Sequence, residues 1–195
     1  MLAPRKKLWS TPSEVLAKAI EVLEITGDDT VIDIGAGDGR FLLQCAESST
    51  AKRIVGYEID EERGKIAQNA IAEKGYASEY VDLVIGNALE QNYDHGTIFF
   101  LYLVPRGLRL ILPLLKSIPH PIKVVTYMSP LPDSEKPLQH IKVGTANHKG
   151  AEWPLWLYSL NEETSVDQIE VKEVKEVKEV KETEKDAFAD YCVIQ

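Results

Sequence analysis

Asp33, Gly35, Gly37, Gly39 and Glu58 have the types and spacing to hold a nucleotide-like ligand. The glycines alternate through Gly35-Ala36-Gly37-Asp38-Gly39, where missing side chains let the backbone bend sharply and let a ligand approach closely. An apolar run precedes them and a helical pattern, Phe41-Leu42-Leu43-Gln44-Cys45-Ala46, follows. A helix start directs its free N–H groups back at such a turn. The spacing excludes a nicotinamide dinucleotide fingerprint, which needs a glycine where this chain has Arg40. Asp33, two residues before the first glycine, would repel a pyrophosphate but suits a ligand carrying an ammonium and a sulfonium. Glu58 ends the next apolar run, 25 residues after Asp33, and a carboxylate there can accept both hydroxyls of a ribose. Asn87, after a third apolar run, offers a side-chain amide to an adenine edge.

These residues need strands that end beside one another. Short apolar runs at residues 30–34, 53–59, 80–85, 97–103 and 122–128 read as strands, the fourth apolar enough to be covered on both faces. Helical patterns occupy residues 13–25, 41–48, 61–74 and 107–115 between and before them. Thr11 or Ser13 is expected to cap the first helix, with Pro12 near its first turn. Runs at residues 138–145 and 153–160 lie too close for an intervening helix and read as an antiparallel pair. Alternating strands and helices closed by a hairpin predict an open α/β sheet with helices on both faces.

Composition sets limits. The chain has 195 residues, 44% hydrophobic and 27% charged, which suits a globular domain with a sizeable core. Residues 161–195 carry 11 acids and 5 bases, so they hold −6 of the net charge of −9 and leave −3 for the rest. An acidic chain without a basic stripe is a poor fit to nucleic acid. The domain is expected over residues 1–160, with 161–195 an acidic Glu-Val-Lys tail, disordered or loosely helical. A docking segment anchored by Phe188, Tyr191 and Val193 is the other reading of that tail. Cys45 and Cys192 form no disulfide framework and suit a reducing compartment, Cys45 reading as a packing residue. No apolar segment follows Arg5-Lys6-Lys7, and Arg106 and Arg109 interrupt the most apolar run, so neither a targeting segment nor a membrane span is expected. A cytoplasmic or nuclear location follows by default. His95, His120, His140 and His148 lack metal-ligand spacing, and no metal is expected.

Asp33-Ile34-Gly35-Ala36-Gly37-Asp38-Gly39, the acidic strand end at Glu58 and Gly86-Asn87-Ala88 together resemble the motifs of S-adenosylmethionine-dependent methyltransferases of the seven-strand class. The resemblance spans residues 11–160. It implies a Rossmann-like open sheet of seven strands, mostly parallel, with S-adenosylmethionine as cofactor. Asp33, Gly35, Ala36, Gly37 and Gly39 would then lie along the methionine end. Glu58 and Ile59 would lie at the ribose, and Asn87 with Ala88 at the adenine. Trp9-Ser10-Thr11-Pro12, Leu101-Tyr102-Leu103-Val104-Pro105 and residues 126–132 resemble a narrower group, the small lysine methyltransferases of the ADP/ATP carrier and of the ATP synthase c subunit. A protein lysine is therefore the expected acceptor. The fourth run also lacks the Asn/Asp-Pro-Pro-Tyr segment usual in enzymes that methylate base amines.

By the same resemblance Tyr102 is the candidate to orient the amine, with packing beneath the next helix as its alternative. Trp9 and Thr11 are candidates for a lid, and Tyr127, with Thr126 and Ser129, for the substrate mouth. A small-molecule acceptor, or a cofactor-binding module without turnover, remain as other functions at this stage.

Overall fold

The computed structural model of the chain describes residues 10–146 and 150–162. Trp9, His148, Cys192 and the Glu-Val-Lys segment lie outside the described residues.

Helix α1 (Ser13–Leu23) buries Val15, Leu16, Ala19, Ile20 and Leu23, the stripe that the three- and four-residue spacing predicts. Its start differs from expectation. Neither Thr11 nor Ser13 caps it; the carbonyl of Pro12 accepts from the amides of Val15 and Leu16, each at 3.1 Å. Strands β1 (Thr30–Ile34), β2 (Arg53–Glu58), β3 (Val81–Ile85), β4 (Ile98–Leu101) and β5 (Ile122–Tyr127) pair in parallel. Helices α2 (Arg40–Ser48), α3 (Glu61–Glu73) and α4 (Pro105–Lys116) join them. Strand β4 stops at Leu101, two residues short of its apolar run, because Pro105 opens α4. Proline has no amide hydrogen to lose there and its φ already suits a first turn. Tyr102 and Leu103 are thereby released from the ladder to stand at the strand's mouth.

Strands β6 (Gln139–Gly144) and β7 (Glu152–Leu160) form the expected hairpin, with β7 antiparallel to both β5 and β6. The sheet runs β3-β2-β1-β4-β5-β7-β6. Its strand order turns back between β1 and β4, and open α/β sheets leave a crevice at the carboxyl ends of such a pair. One core packs α1, α2 and α3 against Val31, Ile54, Phe100 and Tyr127. The other packs α4 against Ile32, Ile34, Phe99, Leu101 and Val124. Phe41 of α2 stacks on Phe100 of β4 with ring centroids 4.3 Å apart, fixing the helix start over the crevice.

Gly39, expected at the cofactor, has a structural duty. Its φ is +79°, and a Cβ there would lie 2.8 Å from the Cβ of Ala67 on α3. Gly39→Ala is expected to destabilise the fold by roughly 2–4 kcal/mol, from the left-handed backbone and the forced contact together. Thermal unfolding followed by circular dichroism measures it.

Candidate functional site

The turn after β1 is built by hydrogen bonds from its neighbours. The amides of Gly35 and Ala36 both donate to the carbonyl of Tyr57, at 2.8 and 3.0 Å, tying the turn to β2. Gly37 has φ of +58°, which aims its amide at the end of β2. There the Glu58 carboxylate accepts it, Oε2 lying 2.7 Å from the Gly37 nitrogen. Oε1 accepts the Asp60 amide at 2.9 Å, and Asp60 in turn caps α3 through the Arg63 amide at 3.0 Å. Glu58 is only 6% exposed. It is thus a brace between two turns as well as a candidate ribose ligand. Each carboxylate oxygen has a second lone pair for a further donor.

Asp33 is the opposite case. It is 3% exposed on the face of β1 turned toward α2, and no described residue donates a hydrogen bond to it. Burial, then the negative charges of Glu58 and Asp38, push its carboxyl well above the usual carboxylate range. A buried acid without a donor is costly in isolation and is satisfied by an incoming cation.

Above Asp33 opens a cleft. Gly35, Ala36 and Gly37 of the turn line it together with Phe100, Tyr102, Ser10, Thr11 and Leu16. Arg40, missed as a lining residue because it was read only as an absent glycine, stands at the rim with Asp38. It grips both Asp38 oxygens and donates to the Thr11 carbonyl at 3.4 Å. Phe41 and Phe100 were equally hidden, since their register marks them simply as core.

The other expected residues divide. Tyr102 lines the cleft, half-buried, as expected of a residue released from β4. Thr11 lines it as well. Tyr127, expected at the mouth, is instead 2% exposed and backs Tyr102, their ring centroids 4.6 Å apart. Burial and the neighbouring Tyr102 push its hydroxyl up to about 12. Thr126 is fully buried, because strand alternation turns it to the α4 side. Asn87 spends much of its amide on structure: Oδ1 accepts the Leu89 amide at 3.1 Å and Nδ2 donates to Glu90 at 2.8 Å. One Nδ2 hydrogen remains. Ile59 and Leu89 stand exposed, 39% and 38%, at the adjacent ends of β2 and β3, beside half-buried Ala88. Leu89 had no mark in the sequence, since a single leucine in a turn has no periodicity.

Among the described residues no group of histidines, cysteines and acids could hold a metal, and no helix is long and apolar enough to cross a membrane. Cys45 is buried and burial pushes its thiol up to about 11, so it packs and does not react at neutral pH.

No protein-family model matches the sequence. The chain is 29% identical over 155 residues to a protein-lysine N-methyltransferase of Saccharolobus islandicus, covering 78% of this chain and 92% of that protein. It superimposes with a TM-score of 0.70 and 25% identity on an RNA methyltransferase from Salinibacter ruber in complex with S-adenosyl-L-homocysteine. That match covers 80% of this chain and 95% of the other. A SAM-dependent O-methyltransferase from Thermotoga maritima shares the fold at a TM-score of 0.58 and 15% identity, covering 80% of this chain and 68% of that one. The strand order and its antiparallel end are those of the seven-strand methyltransferase sheet.

Proposed function

We propose that this chain, an S-adenosylmethionine-dependent methyltransferase of the seven-strand class, transfers the methyl group to the side-chain amine of lysine in a protein. The observation that carries the cofactor site is Asp33: a buried carboxylate with no donor, on the floor of a cleft at the β1–β4 switch. A ligand with a cationic amino-acid end meets that demand, and a pyrophosphate would aggravate it. Asp33 would receive the ammonium, while the open lone pairs of Glu58 would receive the ribose hydroxyls. Ile59, Ala88 and Leu89 offer an apolar seat for the adenine, and the spare hydrogen of Asn87 can reach a ring nitrogen. S-adenosylmethionine, when bound, supplies an electrophilic methyl on a sulfonium.

The protein's own task is to present a neutral amine. A free lysine has a pKa of about 10.4 and is protonated at neutral pH. Apolar walls disfavour the ammonium and release its proton, and Phe100 with Phe41 supplies such a wall. Tyr102 stands on the same side, its ring held by Tyr127, and can orient the amine by its face or hydroxyl. Thr11, with Trp9 before it, would cover the cleft. The 29% identity to a protein-lysine N-methyltransferase supports the acceptor assignment. The net charge of −9 weighs against an RNA acceptor, for which the Salinibacter neighbour is named.

Incubating cell extract with the protein and methyl-labelled cofactor tests the acceptor. Label is expected in protease-sensitive, nuclease-resistant material and in methyl-lysine after acid hydrolysis. Label in RNA or in small molecules would overturn the lysine assignment, and absence of label with intact cofactor binding would identify a binding module. Tyr102→Ala is expected to lower labelling by about 100-fold, the cost of a misplaced reactant, with S-adenosylhomocysteine affinity held within about threefold.

A further inference from the structure

We propose that Arg40 holds the α-carboxylate of the cofactor's amino-acid end, opposite Asp33. The inference rests on the reading of the cleft as the S-adenosylmethionine site and extends it to a group so far without a partner. Among the residues lining the cleft, Asp33 and Asp38 carry negative charge and Arg40 carries the positive charge. A methionine end presents an ammonium and a carboxylate on one carbon, so an anion receptor has to stand next to Asp33.

Geometry leaves the guanidinium free to serve. It has five N–H donors. Nε donates to Asp38 Oδ1 at 2.9 Å, Nη2 to Asp38 Oδ2, and Nη1 to the Thr11 carbonyl at 3.4 Å. One hydrogen remains on each terminal nitrogen. Asp38 holds the plane of the group in place, so little side-chain freedom is lost when a carboxylate arrives. The Thr11 contact is the weakest of the three by distance and is the one a ligand oxygen can share or replace. Arg40 also begins α2, directly after the glycine turn, which fixes its position relative to Gly35 and Gly37.

A purely structural Arg40 would tie Ser10 and Thr11 to α2 and would affect every ligand alike. Calorimetry with two ligands separates the roles: S-adenosylmethionine, and decarboxylated S-adenosylmethionine, which keeps the ammonium and sulfonium but lacks the carboxylate. Wild-type protein is expected to bind the first at least about tenfold more tightly, the scale of a charge-assisted pair. Arg40→Gln is expected to bring the two within about twofold by weakening the first alone. Arg40→Lys, which keeps a point charge without the fork, should retain part of the preference. Equal affinities in the wild type, which needs no variant to fold, would overturn the proposal. So would an equal loss for both ligands in Arg40→Gln, or no loss for either. If neither ligand binds the wild type, the cofactor reading itself fails.

Discussion

Glu58→Ala should lower the affinity for S-adenosylhomocysteine by two to three powers of ten, about 3–4 kcal/mol. Two effects add. On the proposed reading the substitution removes two acceptor positions for the ribose, each worth about 1.5–3 kcal/mol when the acceptor is charged. It also removes the acceptor of the Gly37 and Asp60 amides, so the turn that frames the cleft loses its tie to β2. The second effect has its own signature. Leaving those two amides without partners costs about 1–3 kcal/mol of fold stability, visible in a melt without ligand. Glu58→Gln separates the contributions: its amide oxygen can keep one of the two turns, while its NH₂ opposes the donor of the other. It is expected to fall between wild type and Glu58→Ala in stability, and near Glu58→Ala in affinity. A variant that melts lower yet binds S-adenosylhomocysteine as well as wild type would leave Glu58 as a brace alone.

Asp33→Asn should move stability and binding in opposite directions. In the ligand-free protein the Asp33 charge is buried, unpaired and repelled by Glu58 and Asp38. Its removal is therefore expected to raise the melting temperature at neutral pH. On the proposed reading the same change removes the counter-charge of the ammonium and should weaken S-adenosylhomocysteine by roughly 10- to 150-fold, the range for one charge-assisted bond. The pH dependence has a definite sign. A carboxyl whose folded-state pKa lies above its ordinary 3.8 binds more protons folded than unfolded across that interval. Its contribution to stability is complete below about pH 4 and declines as pH rises through the folded value. Affinity for a ligand that presents its ammonium to Asp33 runs the other way, rising through the same interval as Asp33 ionises, then levelling. Melting curves and calorimetry from pH 4 upward should show both slopes in wild type, and Asp33→Asn should lose the part that Asp33 contributes. A lower melting temperature for Asp33→Asn would mean that the carboxylate is already satisfied.

The elements that hold the site were legible because their signals are local. Continuous apolar runs mark buried parallel strands, and the alternating glycines with Asp33 and Glu58 identify the edge where those strands end. The short gap before residue 153 required a hairpin, and β6 and β7 form one. What stayed hidden depends on partners distant in sequence. Whether Tyr127 faces the cleft or backs another ring is decided by β4 and β7, not by its own surroundings. Arg40 is a lining residue only because Thr11, 29 positions earlier, returns over α2. The boundary of β4 moved for a different reason: Pro105 serves as a helix start, so the chain leaves the ladder before its apolar run ends.

Asp33 and Glu58 also differ in what would keep them under selection. Glu58 supports two turns whether or not a ligand is present, so a descendant that had abandoned its cofactor would still suffer from losing it. Asp33 contributes no hydrogen bond to the fold and burdens it electrostatically, so in such a descendant drift toward a neutral residue would be favoured. Of the two carboxylates it is Asp33 whose retention would record a ligand in use. A search for lapsed members of this fold should therefore begin at that position, since Glu58 would outlast the chemistry it serves.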